Sequence, residues 1–155
     1  MKTFQQLINE TLQRVNEIFP WDLEEMLENN KPLLIDVREP DEYAAMHIEN
    51  SLNVPRGILE TSCEWNFDET IPELVKARDS VVILICRSGN RSVFTADVMQ
   101  QMGYKEVYSL KTGLKGWADN EYPLVNSNNN LVDVDAAEEF FISKVRKDQL
   151  TPQNE

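Results

Sequence analysis

Apolar positions follow two rhythms along this chain. Residues 3–19 place Phe4, Leu7, Ile8, Leu12, Val15 and Phe19 at helical spacing, which predicts one amphipathic N-terminal helix interrupted by Pro20. "WDLEEMLEN" then predicts a short second helix, with Asp22 and Glu24 near its positive end. Short apolar runs follow at "LLIDV" (33–37), "SLNV" (51–54), "VVILI" (81–85) and "EVYSL" (106–110), and each reads as a strand. "VVILI" is apolar on both faces, as a central parallel strand should be. "EPDEYAAMH" reads as a loop and short helix, residues 56–67 as a long loop, and "DETIPELVKA" as a helix. "SVFTADVMQQM" sets Val93, Ala96, Met99 and Met102 on one helical face, with Gly103 suited to its C-cap.

Strands alternating with helices predict an α/β domain with a mainly parallel sheet. There is no internal repeat. "NSNNN" (126–130) reads as a polar linker, and beyond it Val134, Ala137, Phe141 and Val145 mark an amphipathic C-terminal helix outside the main domain. The expected division is a helical extension over 1–19, a domain over 20–125, and a linker, helix and frayed tail over 126–155, the tail being "LTPQNE". The flanking helices are expected to pack on the domain or on each other; a dimer or partner surface is the other reading, and monomer and homodimer both stay open.

A length of 155 residues suits one core, and 41% hydrophobic with 27% charged residues is an ordinary soluble balance. No apolar run approaches the roughly 20 residues needed to cross a bilayer, and the first residues are too polar for a secretion signal. A cytoplasmic protein is the default expectation. The net charge of −12 argues against nucleic acid and against an anionic membrane face as partners. It does not exclude a small anion, because a local cup can be positive on an acidic protein. Two cysteines, Cys63 and Cys86, make no disulfide framework.

The candidate chemistry lies in "ILICRSGNRS" (83–92). A loop leaving the carboxyl end of a parallel strand and entering a helix is where α/β folds bind ligands. There the helix N–H groups and dipole favour negative charge. Ser88, Gly89 and Asn90 let the backbone curl with its N–H groups inward, while Arg87 and Arg91 add positive charge. The same donors favour the thiolate of Cys86, which is the nucleophile, so no histidine base is required. The only histidine is His47, expected to be structural. A buried strand-end cysteine beside a solvated turn is the plainer reading of the loop.

In this order and spacing, "LLIDVREPDEYAAMHIENSLNVP", "ILICRSGNRS", "GYKEVYSL" and "GLKGW" resemble a single rhodanese domain over about residues 20–124. The resemblance implies the rhodanese-like α/β fold, with a central, mainly parallel five-stranded sheet flanked by helices. It also implies a cysteine, here Cys86, that carries sulfane sulfur as a persulfide. The family's loop corresponds to Cys86, Arg87, Ser88, Gly89, Asn90 and Arg91, followed here by Ser92. Protein tyrosine phosphatases use cysteine, five residues, then arginine; here four residues intervene, and Ile85 stands where those enzymes commonly have histidine. The resemblance implies a thiosulfate sulfurtransferase without cofactor or metal. Its partners would be a small sulfur anion such as thiosulfate and a thiol or sulfur-acceptor protein. A persulfide carrier or sensing module that serves a protein partner, with little turnover of free thiosulfate, is the alternative, and a phosphatase or arsenate reductase is the more remote one.

Arg87 and Arg91 are candidates to attract thiosulfate, with Arg91 equally suited to brace the loop through a carboxylate. Asp36 and Arg38, in "DVRE", match a family signature and are expected to form a buried supporting pair. Arg56, in "NVPRGILE", is a further candidate for attracting substrate at the pocket mouth. Cys63 is either filler or a resolving thiol. Met46 replaces a glycine usual in the family, "ENS" (49–51) replaces Pro-Gly-Ala, and Thr112 stands at another usual glycine; Gly113, Gly116 and Trp117 are retained, with Trp117 expected in the core.

Overall fold

The computed structural model describes residues 1–153; the last two residues of the expected frayed tail lie outside them. In chain order the elements are helix α1 (Phe4–Leu12), strand β1 (Asn16–Ile18), α2 (Pro20–Asn29), β2 (Leu33–Asp36), α3 (Pro40–Ala45) and β3 (Leu52–Asn53). There follow a 3-10 turn (Arg56–Ile58), α4 (Leu59–Ser62), α5 (Pro72–Val75), β4 (Val81–Ile85), α6 (Arg91–Gln101) and β5 (Glu106–Leu110). The chain then forms α7 (Gly113–Asp119), α8 (Val134–Phe140) and a second 3-10 turn (Lys147–Gln149). The strands form one parallel five-stranded sheet in the order β1-β5-β4-β2-β3, with β4 at its centre.

Alternation along β4 builds two cores. Val82, Leu84 and then Cys86 face a layer containing Leu59, Leu74, Ala96 and Met99 from α4, α5 and α6. Ile83 and Ile85 face Leu23, Leu114, Trp117 and Phe141 from α2, α7 and the end of α8. Each is wholly or almost wholly buried, so the apolar character of "VVILI" on both faces follows from helices covering both sides. Trp117 is core, as expected, and its indole N–H donates to the Pro123 carbonyl at 2.9 Å.

Four strands fall on the four apolar runs. The fifth overturns the reading of residues 3–19 as a single helix: α1 stops at Leu12, and residues 16–18 pair in parallel with β5. Residues of the "helical" stripe, Val15 and Phe19, thus flank an edge strand. Edge pairing on β5 supplies backbone hydrogen bonds and buries Val15, which outweighs a helical spacing that local sequence alone cannot distinguish. The loop expected over 56–67 contains the 3-10 turn and α4, and the helix expected at "DETIPELVKA" contracts to the single turn of α5.

Both flanking helices lie on the domain. Phe4 of α1 packs against Phe94 of α6, and Arg14 pairs with Asp97 at 3.0 Å. The C-terminal helix is shorter than its apolar pattern and is not peripheral. Ala137 and Phe141 are buried in the core with Trp117, whereas Val134 and Val145 are exposed. The expected outcome of Phe141→Ala is therefore a loss of about 3 kcal/mol in unfolding free energy by denaturant titration. Val145→Ala should stay within about 0.5 kcal/mol.

Candidate functional site

The end of β4 fixes where Cys86 stands, and the start of α6 fixes what surrounds it. The Cys86 sulfur accepts the Gly89 N–H at 3.1 Å and the Ser92 N–H at 3.4 Å. It also lies 3.2 Å from the Ser92 hydroxyl, which is 2.7 Å from the Ser109 hydroxyl on β5. Cys86, Ser92 and Ser109 are all essentially buried. Asn90 caps α6 without any side-chain hydrogen bond; the sulfur takes the Ser92 N–H, which a capping oxygen would otherwise satisfy.

Two glycines allow this curl. Gly89 sits at φ +92°, and a Cβ there would lie 3.0 Å from the Thr112 nitrogen. Gly113 sits at φ +58°, and a Cβ there would lie 2.5 Å from the Cys86 carbonyl oxygen. That closeness lets α7 hold the loop from below: the Leu114 N–H donates to the Cys86 carbonyl and the Lys115 N–H to the Arg87 carbonyl, both at 2.9 Å. Thr112, at the position of a usual family glycine, adopts the left-handed conformation at φ +66°.

The loop arginines are already engaged. Arg91 donates from both terminal nitrogens to Glu42 of α3, at 2.8 and 3.0 Å. This favours the bracing reading of Arg91 over anion capture. Hydrogen bonding to Arg91 holds the Glu42 carboxyl below its ordinary range, and Glu42 in turn raises Arg91. Arg87 turns towards the C-terminal segment, donating to the Phe141 carbonyl at 3.0 Å and the Ile142 carbonyl at 3.3 Å. It thereby caps the end of α8, whose last carbonyls have no partner within the helix. No sequence signal pointed to this contact, because 54 residues separate Arg87 from Phe141.

Asp36 and Arg38 form the expected buried pair, with Arg38 donating to Asp36 at 2.8–3.2 Å and to the Met46 carbonyl at 2.7 Å. Arg38 Nη1 has no partner among the described residues. His47 stacks on Tyr43 and bonds the Tyr43 carbonyl through Nδ1 at 2.7 Å, a structural role as expected. Arg56 lies over the Phe94 ring at 4.9 Å, exposed and beside Arg91 in a shallow cleft. Cys63 is wholly buried, and burial pushes its thiol up, away from the thiolate a resolving cysteine needs. Cys63 and Cys86 are both free. A larger cavity of about 540 Å³ opens beside Pro32 and Asn50, at the amino ends of β2 and β3 and so at the opposite end of the sheet from Cys86.

The protein family model described as Rhodanese-like domain matches residues 20–120. A sulfurtransferase of Allochromatium vinosum is 33% identical over 112 residues, 72% of this chain and 95% of that one. A mitochondrial protein of Schizosaccharomyces pombe, named as a candidate thiosulfate sulfurtransferase, is 34% identical over 90 residues, 56% of this chain and 63% of that one. This chain therefore matches somewhat less than two thirds of that yeast protein's length. Among solved structures, a Rhodopseudomonas palustris protein of unknown function, titled a possible tyrosine phosphatase, superposes with a TM-score of 0.72 at 22% identity. It covers 79% of this chain and 94% of its own, a likeness of fold alone.

The Glu42–Arg91 brace gives stability a definite pH dependence. Because the folded-state value of Glu42 is depressed, its contribution is full above the ordinary glutamate value of 4.5 and is lost as pH falls through the lowered value. Denaturation midpoints measured from pH 6 down to about pH 3 should fall less steeply in Glu42→Gln than in the parent; parallel curves would show that the brace carries no pH-linked stability.

Proposed function

The chain belongs to the rhodanese-like domain family, and we propose that it moves sulfane sulfur from thiosulfate or a persulfide donor to a thiol or cyanide acceptor, through a persulfide on Cys86. One observation carries the reading: the Cys86 sulfur sits in a ring of loop donors, with N–H groups of Gly89 and Ser92 directed at it. Such donors stabilise charge on sulfur without rearranging during the reaction.

In the first half-reaction the Cys86 thiolate attacks the outer sulfur of thiosulfate. The sulfur–sulfur bond of thiosulfate breaks, and sulfite leaves with the electron pair. In the second, an acceptor thiolate attacks the outer sulfur of Cys86–S–S⁻, and the Cys86 thiolate leaves. This is covalent catalysis in two displacements, with no net redox change beyond the sulfur transferred. Ser92 orients the sulfur through its hydroxyl, and Ser109 holds Ser92. Arg56 has no carboxylate partner among the described residues, which supports its role in drawing a small anion to an otherwise acidic protein.

The phosphatase alternative is disfavoured by loop size. Four residues separate Cys86 from Arg91, and Arg91 is committed to Glu42 rather than free to hold a phosphoryl group. A carrier that serves one protein partner differs from the enzyme only in its donor and acceptor.

Intact-mass measurement after incubation with thiosulfate should show a gain of one sulfur atom, absent in Cys86→Ser. A gain that persists in Cys86→Ser would remove Cys86 from the mechanism. A gain from a persulfide donor and none from thiosulfate would favour the carrier.

A further inference from the structure

The cavity of about 540 Å³ at the amino ends of β2 and β3 takes no part in the sulfur chemistry, and its volume is that of a small-molecule site. Its floor is Leu34, Ile48, Trp117 and Val125, each at most 3% exposed. Leu27 and Pro32 extend the apolar wall towards solvent. These residues come from separate parts of the chain, and hydrogen bonds tie those parts together. His47 and Val125 exchange backbone hydrogen bonds at 2.9 Å, beside Ile48, and the Trp117 indole N–H holds the Pro123 carbonyl. The walls are therefore set before any ligand arrives.

The mouth of the cavity is polar and balanced in charge. Lys31 and Glu49 both line it, both are exposed, and neither has an ion-pair partner among the described residues. Asn50 adds an amide that can donate and accept. An apolar floor selects an apolar body. A cation and an anion at one mouth select a head that carries both charges, because a ligand with a single charge would satisfy one of them and be repelled by the other.

We propose that this cavity binds a small zwitterion with an apolar body, the chemistry of a free branched or aromatic amino acid. Its carboxylate faces Lys31, its ammonium faces Glu49, and its side chain rests on Trp117 and Ile48. The site stands at the opposite end of the sheet from Cys86, so it does not rest on the sulfurtransferase reading.

The test titrates full-length protein with phenylalanine and with leucine, and follows backbone amide shifts and the Trp117 indole N–H. Hydrocinnamate and phenethylamine share the phenyl ring but carry only a carboxylate or only an ammonium. Both amino acids should give saturable shifts at Ile48, Asn50, Val125 and the Trp117 indole. Phenylalanine should bind roughly three- to tenfold more tightly than either compound with one charge. Lys31→Glu should abolish that preference and favour phenethylamine, whereas Glu49→Lys should abolish it and favour hydrocinnamate. Both changes are at exposed positions and leave the core intact. No saturable shift with either amino acid, up to its solubility limit, overturns the proposal. Equal affinity for the three ring compounds, or a preference that neither charge reversal moves, overturns it as well. Cys86→Ser should titrate like the parent; lost binding there would place the ligand at the catalytic loop and sink the cavity. Sulfur loading is read separately by mass, so a protein that binds phenylalanine but takes no sulfur would keep this site and lose the sulfurtransferase reading.

Discussion

The structure depends on amide N–H groups converging on one buried sulfur. A loop leaving β4 turns within a few residues so that Gly89 and Ser92 direct their N–H groups at Cys86. That sulfur lies in an otherwise apolar layer, and the groups that meet it belong to the backbone and cannot rotate away. Everything adjacent keeps that curl in place. Arg91 ties its far end to α3, Gly113 lets α7 press against its near end, and Ser109 fixes the hydroxyl of Ser92 from β5. The loop is short and carries few contacts of its own, so its geometry is borrowed from three elements that the sheet holds in register.

Charge is organised locally within an acidic molecule. The cationic side chains near Cys86 are divided among different tasks: Arg91 is locked to Glu42, Arg38 to Asp36, and Arg87 to backbone carbonyls. A carbonyl is a partner without formal charge, so Arg87 is held in position while keeping its positive field. Arg56 rests on an aromatic face in a cleft that Glu39 and Glu60 also line, without an ion pair to either. Thus Arg91 and Arg38 are held by carboxylates, whereas Arg87 and Arg56 have no ion-pair partner among the described residues. The buried Asp36–Arg38 pair belongs to the first group. Its worth lies in joining the end of β2 to the Met46 carbonyl, because two desolvated charges roughly offset each other's cost.

Much of this was legible from residues alone. The run "VVILI" gave the central strand because a segment covered on both faces must be apolar on both. The turn-forming and basic residues after it marked a loop whose N–H groups turn inward, and those of Gly89 and Ser92 meet the Cys86 sulfur. The four residues between Cys86 and Arg91, set against the five of tyrosine phosphatases, were the sequence's argument for the rhodanese resemblance. His47 and Trp117 were read as structural, and their hydrogen bonds and burial agree.

The tertiary structure decided what spacing could not. Residues 16–18 became an edge strand because β5 offered an unpaired edge, an attraction that no local window contains. The C-terminal helix closed after Phe140 because Phe141 is buried in the core while Arg87 takes the carbonyls beyond it. Arg91 pairs with a carboxylate because α3 carries Glu42 to it from 49 residues away. Periodicity and composition record which faces are buried and what chemistry a loop can offer. They cannot record which distant partner occupies a donor or an edge, because that depends on the packing of the whole chain.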